Sequence, residues 1–303
     1  MKIGVIGPGA IGCLFGALLS RAGHEVWVLD HRPERAQLLD RQGMVGHDPG
    51  GRAWRAQVRA TAEAAQIGPV PLALLCVKSA AVAEALADAR SMLGDKTLVV
   101  ALQNGLGHHP ILDAALPLWA LGITSQGANL SGPGHLIRGG QGPTLLGFIS
   151  PAPDWARTRL AETAAMLSQA GLPAELSPDI RAAAWNKLIV NAGINALTAL
   201  EDCSNGEVLE RPAALELMAG AVREAARVAR QSGVAVKADP LEMTLAVCRA
   251  TAANWSSMWQ DVRSGRPTEV AAINGEVVRR GQELGIATPV NELLLARVLA
   301  LRA

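Results

Sequence analysis

The sequence predicts a doubly wound α/β domain followed by an all-helical domain. Three observations carry this. Short, strongly apolar runs alternate with helix-forming stretches as far as Leu102, at the spacing of strand–helix–strand units. The segment Gly7-Pro8-Gly9-Ala10-Ile11-Gly12 joins the first such run directly to the first helix. After Pro178 the pattern is helical almost to the end.

Taken in order, Lys2 to Ile6 is a β-branched run that ends at a glycine, as a buried parallel strand does. Ala10 to Ala22 has helical composition, Glu25 to Leu29 is a second strand and Pro33 to Arg41 a second helix. Leu72 to Val77 and Thr97 to Leu102 are further buried strands, with a helix over Ala80 to Leu93 between them. From Gly122 to Phe148 glycines separate short strand-like pieces, read as antiparallel strands appended to the sheet. A helix from Asp154 to Ala170 and a strand over Ala174 to Leu176 follow, and Ser177-Pro178 opens the helical part. Helices are expected over 179–199, 211–233, 239–261, 268–284 and 290–302, broken at glycines and prolines. The domain boundary falls near 177: residues 1–177 form a dinucleotide-binding, Rossmann-like domain and residues 178–303 a helical substrate or catalytic domain.

Composition narrows the classes of function. The chain has 303 residues, 50% hydrophobic and 18% charged, which excludes general disorder. Its net charge is +1 with no basic block, so nucleic acid is not an expected partner. With no Tyr and two Phe, Ala, Leu and Val must fill the core. Cys13, Cys76, Cys203 and Cys248 are scattered without a CxxC, and Cys13 and Cys76, in apolar surroundings, read as buried free thiols in a reducing compartment. The histidines show no metal-ligand spacing, and no metal is expected. Glycines and Pro8 interrupt the apolar N-terminus, and no apolar stretch is long enough to span a bilayer. A cytoplasmic protein without a membrane partner is expected.

The loop Gly7, Pro8, Gly9, Ala10, Ile11, Gly12 fits a nucleotide pyrophosphate. Its first glycine allows a tight turn, its second lets the backbone approach the phosphates, and its third lets helix and strand pack closely. Asp30 ends the second strand, 18 positions after Gly12, where an acidic residue bonds the ribose 2′-hydroxyl and favours NAD. Arg32 and Arg35 follow at once and could clamp a 2′-phosphate, with His31 as a further donor. The residues leave NADP and NAD both open. Lys78 and Asn104 follow two of the predicted parallel strands, at the ends where open α/β sheets bind ligands.

In the helical part, Lys187, Asn191 and Asn195 recur every four residues. Each such step turns a helix by about 400°, so one ammonium and two amides share a face. Amides can fix substrate oxygens and a lysine can supply a proton. Asn254, Ser257 and Glu269 form a second polar set, with Ser257 inside a helix and Glu269 in the first turn of the helix after Pro267.

Together these residues resemble the ketopantoate reductase (2-dehydropantoate 2-reductase) family over essentially the whole chain. The likeness rests on GPGAIG (7–12), CVKS (76–79), LQNG (102–105), GITSQGA (122–128), WNKLIVNAGINALTAL (185–200), Asn205-Gly206-Glu207, and SSMWQDVRSGRPTEVAAINGEVVRRG (256–281). The resemblance implies that Lys187 is the proton donor. It implies that Asn191, Asn195, Asn205 and Ser257 bind substrate and that Asn104 touches both cofactor and substrate. Lys78, Ala128 and Glu269 match positions that contact cofactor or substrate. Members of the family often carry arginine where His31 stands, so His31 and Arg32 are the expected 2′-phosphate readers. The implied reaction is reduction of ketopantoate to pantoate with NADPH, on the route to pantothenate and coenzyme A. A reductase for another small 2-oxo acid is the rival enzyme, and an NADPH-sensing regulator the rival from another class. The sequence leaves oligomeric state open, with the Trp-bearing helices as a candidate homodimer face.

Overall fold

The computed structural model describes residues 1–47 and 51–301. Two compact units divide the chain: Met1–Gln103 with Pro110–Ile180, and Asn104–His109 with Arg181–Ala303. A single cut near residue 177 does not anticipate the loop Asn104–His109. That loop belongs with the helices because its hydrogen bonds go there: the Leu106 amide donates to the Ala272 carbonyl at 3.2 Å.

The first unit begins β1 (Lys2–Ile6), α1 (Ala10–Arg21), β2 (Glu25–Leu29), α2 (Pro33–Gln42), β3 (Met44–His47), β4 (Ala53–Ala56), β5 (Arg59–Thr61), α3 (Ala64–Ile67), β6 (Leu72–Leu75), α4 (Val82–Asp88) and β7 (Leu98–Ala101). It continues α5 (His109–Ala115), β8 (Trp119–Thr124), β9 (Ala128–Gly132), β10 (His135–Arg138), β11 (Thr144–Gly147), α6 (Asp154–Gln169) and β12 (Ala174–Leu176). The main sheet runs β12-β11-β8-β7-β6-β1-β2-β5. Its pairings are parallel except β11 against β8. Strands β6 and β7 are buried along their whole length, which is why they read as continuous apolar runs.

The glycine-rich segment departs from expectation. β8 and β11 do join the main sheet, but β9 and β10 pair with β3 and β4 in a separate four-stranded sheet. Helix α1 lies between the two, against β1 and β2 of one sheet and β4, β9 and β10 of the other. That placement explains why Gly12 through Leu19 are all buried, with no polar face.

The second unit contains α7 (Ile180–Glu201), α8 (Pro212–Gln231), α9 (Pro240–Ala250), α10 (Ser257–Arg263), α11 (Asn274–Glu283) and α12 (Pro289–Ala300). Two expected helices are corrected. The helix over 239–261 is two, α9 and α10, because Ser256 caps a new start: its Oγ accepts from the Trp259 amide at 3.1 Å. The helix over 268–284 begins only at Asn274.

A buried polar network fixes α7 against its neighbours. Asn274 donates to the Ala192 carbonyl of α7 and to Asn291 Oδ1, each at 3.1 Å. Asn291 donates to the Ala221 carbonyl and to Glu224 of α8. The Glu224 carboxylate accepts the amides of Val290 and Asn291 at 2.9 Å, satisfying the open start of α12. Among the described residues no helix is long and apolar enough to cross a membrane.

Candidate active site

In the first unit the glycine loop leaves β1 and forms the start of α1. Gly7 has φ +93°, a conformation that L side chains rarely adopt. A Cβ on Gly12 would overlap the Gly7 carbonyl and press on Cys76 Cβ at 3.1 Å, so loop, α1 and the end of β6 close on one another only with glycine there. Gly9 is exposed and caps α1 with no side-chain hydrogen bond, and the first turn holds no acidic residue. The amides of Ala10, Ile11 and Gly12 thus start a helix whose N-terminus no side chain satisfies, a cradle suited to the pyrophosphate of a dinucleotide.

Asp30 follows β2 and is buried; Arg35 donates to both of its oxygens, Nη2 at 2.7 Å from Oδ1 and Nε to Oδ2. His31 and Arg32 are exposed beside it, with Arg32 Nε 3.3 Å from His31 Nε2. Lys78 is half-buried just beyond β6, and Ala128 is half-buried at the first position of β9.

In the second unit, α7 presents the lysine–amide stripe. Lys187 and Asn191 are half-buried and Asn195 is buried. Among the described residues the side-chain amides of Asn191 and Asn195 make no hydrogen bond. Lys187 does: Nζ donates to Asn104 Oδ1 at 2.8 Å, and Asn104 Nδ2 donates to Glu269 Oε2 at 3.2 Å. One amide therefore bridges an ammonium and a carboxylate that lie far apart in sequence. Burial lowers the Lys187 pKa from its ordinary 10.5 to about 8, and the Glu269 charge opposes that fall. A lysine so placed can give up a proton near neutral pH.

Glu269 is not in a helix. It sits in the turn before α11, where its carbonyl accepts the amides of Ala272 and Ile273 at 3.0 and 3.1 Å. Pro267 lacks the helix-starting role expected of it because the intervening turn is closed by these bonds instead. Ser257 is not in a helix interior but is the first residue of α10, exposed beside its capping neighbour Ser256.

Asn205 is buried, and its side chain works within the protein: Nδ2 donates to Thr251 Oγ1 at 2.9 Å, while its backbone amide donates to the Asn254 carbonyl. The Asn205 Oδ1 atom is buried without a hydrogen-bond partner among the described residues. Asn254 is exposed in the turn after α9. Lys187, Asn104 and Glu269 are thus joined directly. Asn205 and Asn254 are joined to each other.

The sequence matches the family described as Ketopantoate reductase PanE/ApbA over residues 3–151, and its C-terminal part over residues 179–302. A 2-dehydropantoate 2-reductase of Halobacterium salinarum is 35% identical over 292 residues, 96% of this chain and 95% of that one. The chain belongs to the ketopantoate reductase family.

Solved ketopantoate reductase structures share the fold. A PanE/ApbA family ketopantoate reductase from Ralstonia eutropha JMP134 superposes with a TM-score of 0.90 at 31% identity, over 100% of this chain and 98% of that one. A D-mandelate dehydrogenase solved with NADH and anilino(oxo)acetate gives a TM-score of 0.91 at 28% identity, with the same coverage. As a ketopantoate reductase family member the protein is an oxidoreductase, and its first unit has the family's Rossmann-type fold.

Proposed function

We propose that the protein reduces 2-dehydropantoate to pantoate with NADPH, in the cytoplasmic route to pantothenate and coenzyme A. The observation that carries this reading is the chain Lys187–Asn104–Glu269, with a lysine whose pKa burial brings to about 8. When bound, the reduced nicotinamide supplies a hydride to C2 of the 2-oxo acid. Lys187 then gives a proton to the alkoxide oxygen. Asn104 holds the ammonium in place, and Glu269 keeps enough positive charge on it for protonation at neutral pH. The unbonded amides of Asn191 and Asn195 bind the substrate carboxylate and hydroxyl, with Ser257, Asn205 and Asn254 as further polar contacts. The glycine loop would hold the pyrophosphate, Lys78 and Ala128 would contact the cofactor, and His31 with Arg32 would bind a 2′-phosphate.

The likeness to a D-mandelate dehydrogenase favours a second reading: reduction of another 2-oxo acid with NADH. Steady-state NADPH oxidation with 2-dehydropantoate, 2-oxoisovalerate and phenylglyoxylate separates the two. The first reading expects kcat/KM to be at least ~10²-fold higher for 2-dehydropantoate than for 2-oxoisovalerate, because amides placed for a hydroxyl are left unpaired without it. A preference for phenylglyoxylate with NADH would establish the second.

A further inference from the structure

We propose that Arg35 determines cofactor choice: by holding Asp30 in a buried ion pair, it removes the carboxylate that would select NAD(H) and opens the site to NADP(H). This rests on the reading of the first unit as the cofactor-binding unit.

Asp30 stands one residue beyond β2, the place in such sheets where an acidic side chain accepts from the ribose 2′-hydroxyl and repels a 2′-phosphate. In this chain it can do neither directly. Its side chain has 0% exposure, while that of neighbouring His31 has 60%. Arg35, in the first turn of α2, folds back over it. Its Nη2 lies 2.7 Å from Oδ1 and its Nε meets Oδ2, so the planar fork covers both oxygens. The Arg32 amide adds a third donor to the carboxylate, at 3.1 Å from Oδ1, and the Asp30 amide is held by the Thr61 carbonyl at 3.1 Å. A ribose hydroxyl therefore meets no accessible carboxylate oxygen.

The charges lead the same way. Asp30 and Arg35 cancel. What remains exposed at the start of α2 is Arg32 and the His31 ring; Arg32 Nε donates to His31 Nε2 at 3.3 Å, and the rest of the guanidinium can donate to a phosphate. Without Arg35 the carboxylate would be uncovered. It would then accept from a ribose diol and oppose a phosphate dianion, two effects of the same sign.

The test is calorimetric titration of 2′-phospho-ADP-ribose and of ADP-ribose into the full chain. The variants are Arg35→Gln, Asp30→Asn, the double variant and Arg35→Lys, with a melting curve for each. The native protein is expected to bind the 2′-phosphorylated ligand more tightly. Arg35→Gln should move the ratio of the two Kd values toward ADP-ribose by about tenfold or more, the size of an exposed like charge near a phosphate. The double variant should return the ratio to within about threefold of native, since the carboxylate itself is gone. Should Arg35→Gln fail to fold, Arg35→Lys, which keeps the charge but loses the fork, is expected to shift the ratio in the same direction. An unshifted ratio in the folded variants overturns the proposal. So does a double variant as shifted as Arg35→Gln, because Arg35 would then be touching the phosphate itself. Failure of the native protein to bind either ligand is a different result: it overturns the cofactor-unit reading as well.

Discussion

At Lys187 two fields act in opposition. Burial favours the neutral amine, the Glu269 carboxylate favours the ammonium, and burial prevails to leave a pKa near 8. A proton donor must be protonated to work, so kcat/KM for 2-oxo acid reduction should be level below that value and fall about tenfold per pH unit above it. Glu269→Gln removes the opposing charge, and its descending limb should begin at lower pH. Lys187→Ala should lower kcat by ~10²–10⁴-fold, the usual size of acid catalysis. Lys187→Met should melt no lower than the native protein, because a buried ammonium costs stability wherever its folded pKa lies below its unfolded one. A pH profile flat through 8, or a Lys187→Ala enzyme within tenfold of native, would remove the lysine from the mechanism. The sequence shows Lys187, Asn191 and Asn195 as one stripe because helical spacing is local. It cannot show that Asn104 lies 2.8 Å from Lys187, because that contact spans 83 residues and is set by packing.

The loop Asn104–His109 is the element that brings Asn104 between Lys187 and Glu269. Gly105 has φ +79°, and a Cβ there would overlap the Ala272 carbonyl oxygen and lie 2.8 Å from its carbon. Both are backbone atoms that cannot swing aside. Gly105→Ala should therefore displace Asn104 from between Lys187 and Glu269, lowering kcat/KM by about tenfold or more and the melting temperature by a few degrees, as a strained backbone position costing roughly 1–3 kcal/mol would. Native activity in Gly105→Ala would show that the loop's hold on Ala272 does not matter. Among the other elements, Glu25–Leu29 and Ala174–Leu176 stand where the sequence puts them. Strands β3 to β5 went unread, although Trp54, Ala56, Val58 and Ala60 are all buried and alternate with exposed residues. Each strand is only three or four residues long, and the arginines of β4 and β5 resemble loop composition. The break between α9 and α10 was carried by one capping serine, which the apolar pattern on either side masks.

For the molecule as a whole, the change of texture at Pro178 is visible in composition, whereas the allegiance of residues 104–109 is not, since only tertiary bonds decide it. The same loop leads to a prediction about acid. His108 and His109 end it, packed edge to face at 4.9 Å, and both are buried. Neither ring nitrogen of His108 has a hydrogen-bond partner among the described residues. Burial drives its pKa down from 6.5 to about 3; the charge of His109 acts with it and that of Glu276 against it. Burial and the Arg280 charge bring His109 to about 4. Glu276 offsets only part of the cost of a proton on His108, because Arg279 and Arg280 share its carboxylate at 2.7 Å. Both folded values lie below the unfolded one, so the unfolded chain binds more protons as pH falls. The contribution of this pair to stability is then constant above about 6.5 and declines from there toward 4 and 3. Two such groups give a slope of up to roughly 2.7 kcal/mol per pH unit between pH 6 and 5, before most carboxylates titrate. Urea unfolding of the helical unit, followed by hydrogen exchange in α7 and α8, should show that slope, and His108→Leu should halve it. If native and His108→Leu proteins lose stability in parallel over this window, the buried pair is not what makes the helical unit acid-sensitive.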